Sequence, residues 1–200
     1  MHLLDTETKK LTKFESNTPP YAILSHIWER DEVTFQDIAD LDKAEKLQGF
    51  AKIVGACNTA KRDGFKYIWI DTCCTNKESS AELSEAINSM YAWYRNARVC
   101  YAYLWDVPSD GDHENLGSPF AMIVFYGRDW VDIGNKITLQ EVISAITGID
   151  VKIVTRPFAL DDVSVAVRMS WAADRKTTRV EDVAYSIMGI FGVSMPLLYG

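Results

Sequence analysis

The chain has 200 residues, of which 48% are hydrophobic and 12% aromatic, and its formal net charge is −7. This length and composition exclude a disordered polymer and predict one domain over residues 1–200 with a core of its own. The acidic balance argues against nucleic-acid binding, and no apolar run approaches the about 20 residues that cross a bilayer. Because the amino terminus also lacks a secretory signal pattern, we expect a cytoplasmic protein.

Apolar runs and helically spaced apolar residues alternate along the chain. A hairpin is predicted over residues 2–14, and buried strands over 21–24, 66–70, 99–105 and 122–126. Amphipathic helices are predicted over residues 47–62, 83–94, 139–147 and 180–191. Strands that alternate with helices indicate parallel βαβ units. We therefore predict an α/β fold, with a mostly parallel sheet flanked by helices, an N-terminal β-hairpin and a C-terminal helical extension.

Polar residues gather where the predicted parallel strands end. Ser25 and His26 follow the first of these strands, and Asp71, Thr72 and Cys73 follow the second. In parallel sheets ligands bind at the carboxyl ends of the strands. A histidine at this edge can act as acid or base, or it can fix a turn by bonding the backbone.

The same residue types allow a cysteine nucleophile. Such a nucleophile needs a histidine partner and an orienting carboxylate, which His26, Asp71 and either Cys73 or Cys74 could supply. In the alternative interpretation, Asp71 caps a loop and the thiols are packed and inert. The sequence has no C-x-x-C pair, and we predict no metal site.

Two carboxylates, Glu82 and Glu85, open the second predicted helix and share one face of it. They could do acid–base work as a pair. However, the segment from Ser79 to Glu82 also fits a capping box, in which Glu82 supports the helix start. The candidate catalytic residues are therefore Glu82, Glu85 and His26, with capping as the competing interpretation.

Ordered motifs over nearly the whole chain resemble the HET domain, the heterokaryon incompatibility module of filamentous fungi. The matching segments are, in chain order, residues 20–28, 32–35, 67–74, 80–90, 93–94, 168–172, 175, 177–179, 181–182, 184–186, 189–193 and 195–200. The first two read PYAILSHIW and EVTF, and the third reads YIWIDTCC. Each block is modest, but the ordered set is specific.

This resemblance implies an effector of fungal non-self recognition and programmed cell death with a flavodoxin- or TIR-like fold. Such modules often stand at the N-terminus of longer proteins, and they imply self-association or other effector and receptor domains as partners. Some TIR relatives cleave NAD with a glutamate on a helix, which implies NAD or a related nucleotide as a substrate and no resident cofactor. The candidate ligand-binding residues are Ser25, His26, Trp28, Asp71, Thr72 and Cys73.

The chain departs from the family at the block that carries this glutamate. The family has Gly-Trp-Thr-Leu-Gln-Glu-Leu there, whereas this chain runs from the acidic loop at 110–114 straight into 116–119. We expect the motif-bearing helix to be missing between residues 107 and 119. Glu141 lies in a similar short sequence, but the residues on either side of it match a later helix of the family. We therefore interpret the similarity to the motif as a coincidence. Glu29 stands where the family usually has glycine.

Three hypotheses follow. The first is a HET-type effector that acts through self-association, with catalysis weakened or lost. The second is an NAD-cleaving enzyme with Glu141, Glu85 or Glu82 as a substitute carboxylate, and the third is the cysteine-nucleophile hydrolase. A degenerate copy, a partner-binding module and a mis-predicted gene are all compatible with the missing block. The apolar end at 196–200 is compatible with a fragment or a stand-alone remnant.

Overall fold

A computed structural model describes residues 1–108, 123–156, 160, 162–173, 175–177 and 181–197 of the chain. The strands are β1 (His2–Asp5), β2 (Leu11–Lys13), β3 (Ala22–His26), β4 (Tyr67–Trp69), β5 (Val99–Tyr103), β6 (Ile123–Tyr126) and β7 (Asp132–Asn135). The helices are α1 (Leu41–Ala44), α2 (Phe50–Arg62), α3 (Ser80–Asn96), α4 (Gln140–Thr147), α5 (Val151–Thr155), α6 (Val165–Ser170) and α7 (Glu181–Met188), with 3-10 turns at Asp37–Ala39 and Gly189–Phe191.

In the described part of the chain, the strands form one sheet in the order β2-β1-β4-β3-β5-β6-β7. The four central strands, β4, β3, β5 and β6, run parallel, and antiparallel strands close the sheet on both sides. The predicted α/β fold, with its mostly parallel sheet and N-terminal hairpin, is confirmed. Counted along the chain, the parallel strands have the order 2-1-3-4 that also begins flavodoxin-like sheets.

Two details differ from the prediction. β3 continues through Ser25 and His26, because it pairs with β5 up to the His26–Tyr103 position. β7 and the short helices α1, α5 and α6 were not predicted, since they are too brief to show a hydrophobic period. Most of the segment 107–119, in which the sequence predicts a missing helix, lies outside the described residues.

The core lies between the sheet and the helices α2 and α3. Its buried cluster is drawn from residues 3–126 and includes Leu24, Trp69 and Tyr101. One face of α2, with Ile53 and Ala56, packs into this cluster because its apolar residues recur at helical spacing. The crossover through α2 runs from β3 to β4, whereas the one through α3 returns past β3 to β5.

The reversal in strand order marks the place where a ligand site is expected. The strands on either side of β3 are reached in opposite directions, so the two crossover helices lie on opposite faces of the sheet. A crevice opens at such a switch point, outside the carboxyl ends of the strands. Here that place is the end of β3 and β5, where His26 pairs with Tyr103.

The C-terminal segment after α7 contacts α3 at two points. Asn88 donates from Nδ2 to the Met195 carbonyl oxygen at 3.0 Å, and its Oδ1 accepts from the Met195 amide at 2.9 Å. Gly189 lies against Tyr91 so closely that an added Cβ would meet the Tyr91 Cβ at 2.1 Å. The segment is therefore anchored at two points along α3.

We expect Asn88→Ala to release this segment. Two hydrogen bonds of about 0.5–1.5 kcal/mol each are lost, so amides of residues 189–197 should exchange about tenfold faster. Hydrogen–deuterium exchange measured by mass spectrometry checks this, with Asn96→Ala, at the exposed end of the same helix, as the control. Unchanged exchange in Asn88→Ala would show that the anchor lies elsewhere.

Candidate functional site

A histidine, a carboxylate and a tryptophan meet at the carboxyl ends of β3 and β4. His26 Nε2 lies 3.0 Å from Asp71 Oδ1, and Trp28 Nε1 donates to Asp71 Oδ2 at 2.6 Å. Trp28 is 54% exposed, the Asp71 side chain 21% and the His26 side chain 1%. The three residues thus form a hydrogen-bonded chain that leads from the surface to the interior.

The carboxyl of Asp71 is held in its charged form. Burial alone would raise its pKa, but the hydrogen bond from His26 and the nearby positive charge of Lys77 hold the pKa below its usual value. A carboxylate only accepts hydrogen bonds, so the His26 nitrogen that faces Asp71, Nε2, carries a proton.

A second carboxylate, Glu32, lies on the other side of the imidazole ring. Its Oε1 is 3.9 Å from His26 Nδ1, and its side chain is 11% exposed. Lys52 of α2, with a side chain only 6% exposed, contacts Glu32 Oε1 and also lies 3.3 Å from Glu29 Oε2. The Lys52 ammonium donates to the Ile27 carbonyl oxygen as well, at 3.2 Å, so its donors are used within this cluster.

Some buried polar atoms around His26 have no hydrogen-bond partner within the described residues. They are His26 Nδ1 and Glu32 Oε2, and the buried Thr72 Oγ1, next to Asp71 in sequence, also has none. Buried polar atoms are nearly always paired, because leaving one unpaired costs about 1–3 kcal/mol. Unpaired polar atoms on these two neighbouring side chains therefore favour a site that takes up a further group.

Lys77 adds a cation beside Trp28. Its Nζ stands 3.4 Å above the centre of the Trp28 ring. Burial lowers the pKa of Lys77, although the negative charge of Asp71 opposes that shift. The two loops that follow β3 and β4 thus bring together an aromatic face, a cation and two carboxylates.

The remaining candidate ligand-binding residues lie beside the hydrogen-bonded series His26–Asp71–Trp28 and are not part of it. Ser25 is one residue before His26 in β3, so it faces the other side of the sheet, where Tyr94 of α3 donates to the Leu24 carbonyl oxygen at 3.3 Å. Thr72 is buried next to Asp71. Of the sequence-predicted set, the structure brings His26, Trp28 and Asp71 together.

The thiols after β4 are packed against the backbone. Cys73 Sγ lies 4.0 Å from the Ile70 carbonyl oxygen, and Cys74 Sγ lies 3.9 Å from that of Ile68. The interaction with the Cys74 thiol, together with burial, raises the pKa of Cys73 well above its usual value. A protonated and buried thiol is a poor nucleophile, which disfavours the cysteine-hydrolase hypothesis.

The predicted catalytic pair lies at a different place. Glu82 and Glu85 line a cavity of about 300 Å³ beside the N-terminal hairpin, together with His2 and Trp93, and that cavity includes none of His26, Trp28 and Asp71. The Ser79 side chain accepts from the Glu82 amide at 3.3 Å, which is the half of the capping box that Ser79 supplies. Glu141 is exposed on α4, beyond the antiparallel strand β7.

Residues 21–122, about half of the chain, match the sequence model of the family described as Heterokaryon incompatibility protein (HET). Vegetative incompatibility protein HET-E-1 of Podospora anserina is 42% identical over 207 residues, which cover 91% of this chain. The chain belongs to the HET family. The HET resemblance predicted from the ordered motifs is confirmed.

This HET chain spans about 15% of the length of the curated relative that it matches. No solved structure matches it. Within the described residues, none of its helices is both long and apolar enough to cross a membrane. In the same residues, no group of three or more His, Cys, Asp or Glu side chains is placed to hold a metal ion.

Sequence reasoning missed three residues of the HET crevice: Glu32, Lys52 and Lys77. Glu32 entered only as part of a matching motif, and Lys77 stands in an irregular loop. Lys52 did carry a signal, because it lies on the buried face of α2 beside Ile53 and Ala56. A lysine on an apolar helical face is almost always paired with a carboxylate.

Proposed function

We propose that this HET chain is an effector module of fungal incompatibility that acts in the cytoplasm. Its working site is the crevice of His26, Asp71 and Trp28, which binds a ligand of the nucleotide class. Ligand binding and self-association carry the signal that ends in cell death, and catalysis is weak or lost. Other effector or receptor domains are the expected partners.

The observation that carries the proposal is the charged cluster at the switch point of the sheet. Burying Lys52, Glu32 and His26 together costs desolvation energy that apolar residues would not require. Asp71 and Lys77 adjoin this cluster and have shifted pKa values, and groups with shifted pKa values are typical of functional sites. The exposed indole of Trp28 supplies the flat surface on which a nucleobase stacks, and Lys77 supplies a charge that complements phosphate.

The arrangement of carboxylates favours binding over turnover. Cleavage of a glycosidic bond needs a carboxylate beside the ribose, to stabilise an oxocarbenium-like state. Glu82 and Glu85 line the separate hairpin cavity, and Glu141 lies beyond β7.

For self-association, α4 offers Val142 and Ile146, which stand one turn apart and are exposed.

Expression in a filamentous fungus tests this proposal. We expect expression of the chain to reduce the number of viable colonies. Asp71→Asn should raise that number by about tenfold or more, because it weakens a hydrogen bond to a charged group that contributes about 1.5–3 kcal/mol. Glu85→Gln, in the hairpin cavity, is the matched control and should stay as toxic as the unchanged chain. Equal toxicity of Asp71→Asn would contradict a working site at His26.

A second candidate function is cleavage of NAD with Glu32 as the substitute carboxylate. It is favoured by one observation, the unpaired and buried Oε2 of Glu32 close to His26. An NAD-consumption assay on the purified chain distinguishes the two functions. Turnover that is lost in Glu32→Gln and kept in Glu82→Gln would establish this second function, and the absence of turnover would leave the binding module.

A further inference from the structure

One face of α3 carries two carboxylates that the fold does not use. The spacing of Glu82, Glu85 and Trp93 places them on this face, and all three line the hairpin cavity. The Glu82 amide donates to Ser79, but the Glu82 carboxylate itself accepts no hydrogen bond within the described residues. In the same part of the chain, neither carboxylate has a cationic group within ion-pair distance. Both carboxylates are therefore available to a ligand.

A nearly buried hydroxyl in the same cavity also lacks a partner. Thr75 is 7% exposed and lines the cavity, and its side chain makes no hydrogen bond within the described residues. Buried polar groups are nearly always paired, so this hydroxyl points to a further group inside the cavity. The volume of about 300 Å³ lies at the lower end of the range of small-molecule sites, which suits one small charged group.

The other charged groups that line the cavity leave it negative. Glu15 pairs with Lys13 at 3.5 Å, and the Met1 amino group donates to a backbone carbonyl oxygen at 2.9 Å. Burial lowers the pKa of His2, although the two carboxylates of α3 oppose that shift, so His2 is neutral at pH 7. The amino group of Met1 then faces two unpaired carboxylates, and the cavity is complementary to a cation.

We propose that the hairpin cavity binds a guanidinium group, which pairs with Glu82 and Glu85 and lies against the ring of Trp93. A guanidinium presents a planar fork of N–H donors to carboxylates, stacks on aromatic rings and is less strongly hydrated than an ammonium. Trp93 packs edge-on against the buried Trp69, with 5.4 Å between the ring centres, so its ring is held in place. The inference goes beyond the proposed function, because the cavity includes no residue of the crevice at His26, and toxicity and occupancy of the cavity are separate measurements.

Matched derivatives of arginine and citrulline test the proposal. Acetyl-arginine amide and acetyl-citrulline amide have nearly the same shape, but citrulline has a neutral urea in place of the guanidinium. Titration of the purified chain, followed by the indole N–H signal of Trp93, should give the arginine derivative at least about tenfold tighter binding, because charge-assisted hydrogen bonds are about twice as strong as neutral ones. Equal affinities, or no shift of the Trp93 signal with either compound, would overturn the inference.

Two further ligands identify the source of the guanidinium. Propylguanidine carries the group on a free small molecule, whereas an acetylated Gly-Arg-Gly peptide carries it as a partner protein would. At least about tenfold tighter binding of the peptide assigns the cavity to an arginine side chain of a partner. Equal or tighter binding of propylguanidine assigns it to a free guanidine compound, and both results uphold the guanidinium site.

Substitutions remove the two charges one at a time. Glu82→Gln and Glu85→Gln should each weaken the binding of acetyl-arginine amide by about tenfold. Glu78→Gln, an exposed change in the loop before α3 and outside the cavity, is the control and should leave the affinity within about twofold. If one variant does not fold by circular dichroism, the other decides. Unchanged affinity in a folded Glu82→Gln or Glu85→Gln variant would overturn the inference.

Discussion

Lys52→Met should lower the free energy of unfolding by about 3–5 kcal/mol, because it leaves a buried carboxylate without its partner. The Lys52 side chain is 6% exposed and contacts Glu32, which is 11% exposed, and also the more exposed Glu29. Urea unfolding followed by circular dichroism measures the loss. A change below about 1 kcal/mol would show that the cluster is solvated and is not a buried network.

The double variant Lys52→Met with Glu32→Gln separates charge from packing. Removing both charges should restore most of the stability that the single variant loses, since a neutral amide costs much less to bury than an unpaired carboxylate. Lys61→Met on the same helix is the matched control. Its ion pair with Glu7, at 3.0 Å, is exposed on both sides, so we expect a change within about 0.5 kcal/mol.

Gly55→Ala should destabilise the chain by about 1–3 kcal/mol, although alanine favours helices over glycine. An added Cβ would lie 2.1 Å from Trp130 Nε1. The Trp130 ring cannot retreat easily, because it stacks on Tyr103 with 4.9 Å between the ring centres and its backbone has a φ of 59°. The gain in helix propensity is therefore smaller than the cost of the collision.

The sign of this effect should reverse when the tryptophan is removed. In a Trp130→Ala background the space beside α2 is free, and Gly55→Ala should then stabilise the helix by about 1 kcal/mol. Thermal and urea unfolding of the four variants give the comparison. Stabilisation by Gly55→Ala in the unchanged chain would refute the contact between Trp130 and α2.

Local patterns predicted the central elements of the fold. The apolar spacing of α2 and α3 and the apolar runs of β4 and β5 depend only on neighbours in sequence. The predicted first strand ended too early, because the pairing of His26 with Tyr103 extends β3, and pairing is a tertiary contact. β7 was missed because Asp132–Asn135 has no apolar alternation.

In the candidate site, too, the residues that depend on local sequence could be predicted and those that depend on tertiary contacts could not. His26 and Asp71 could be predicted from their place at strand ends, since parallel strands bring such ends together. Glu32 could not, because its position depends on Lys52 from a distant helix. Glu82 and Glu85 share a helical face, as expected, but the spacing of a pair carries no information about which cavity that face borders.

The indole N–H signals of the chain test the central claim most directly. Trp28 bonds Asp71 in the proposed working site, whereas Trp93 lines the hairpin cavity that also holds Glu82 and Glu85. Both signals can be assigned by single Trp→Phe variants in a proton–nitrogen correlation spectrum. Titration with adenosine 5′-monophosphate should shift the Trp28 signal to saturation and leave that of Trp93 in place. A shift confined to Trp93 would contradict the account and place the working site beside the hairpin.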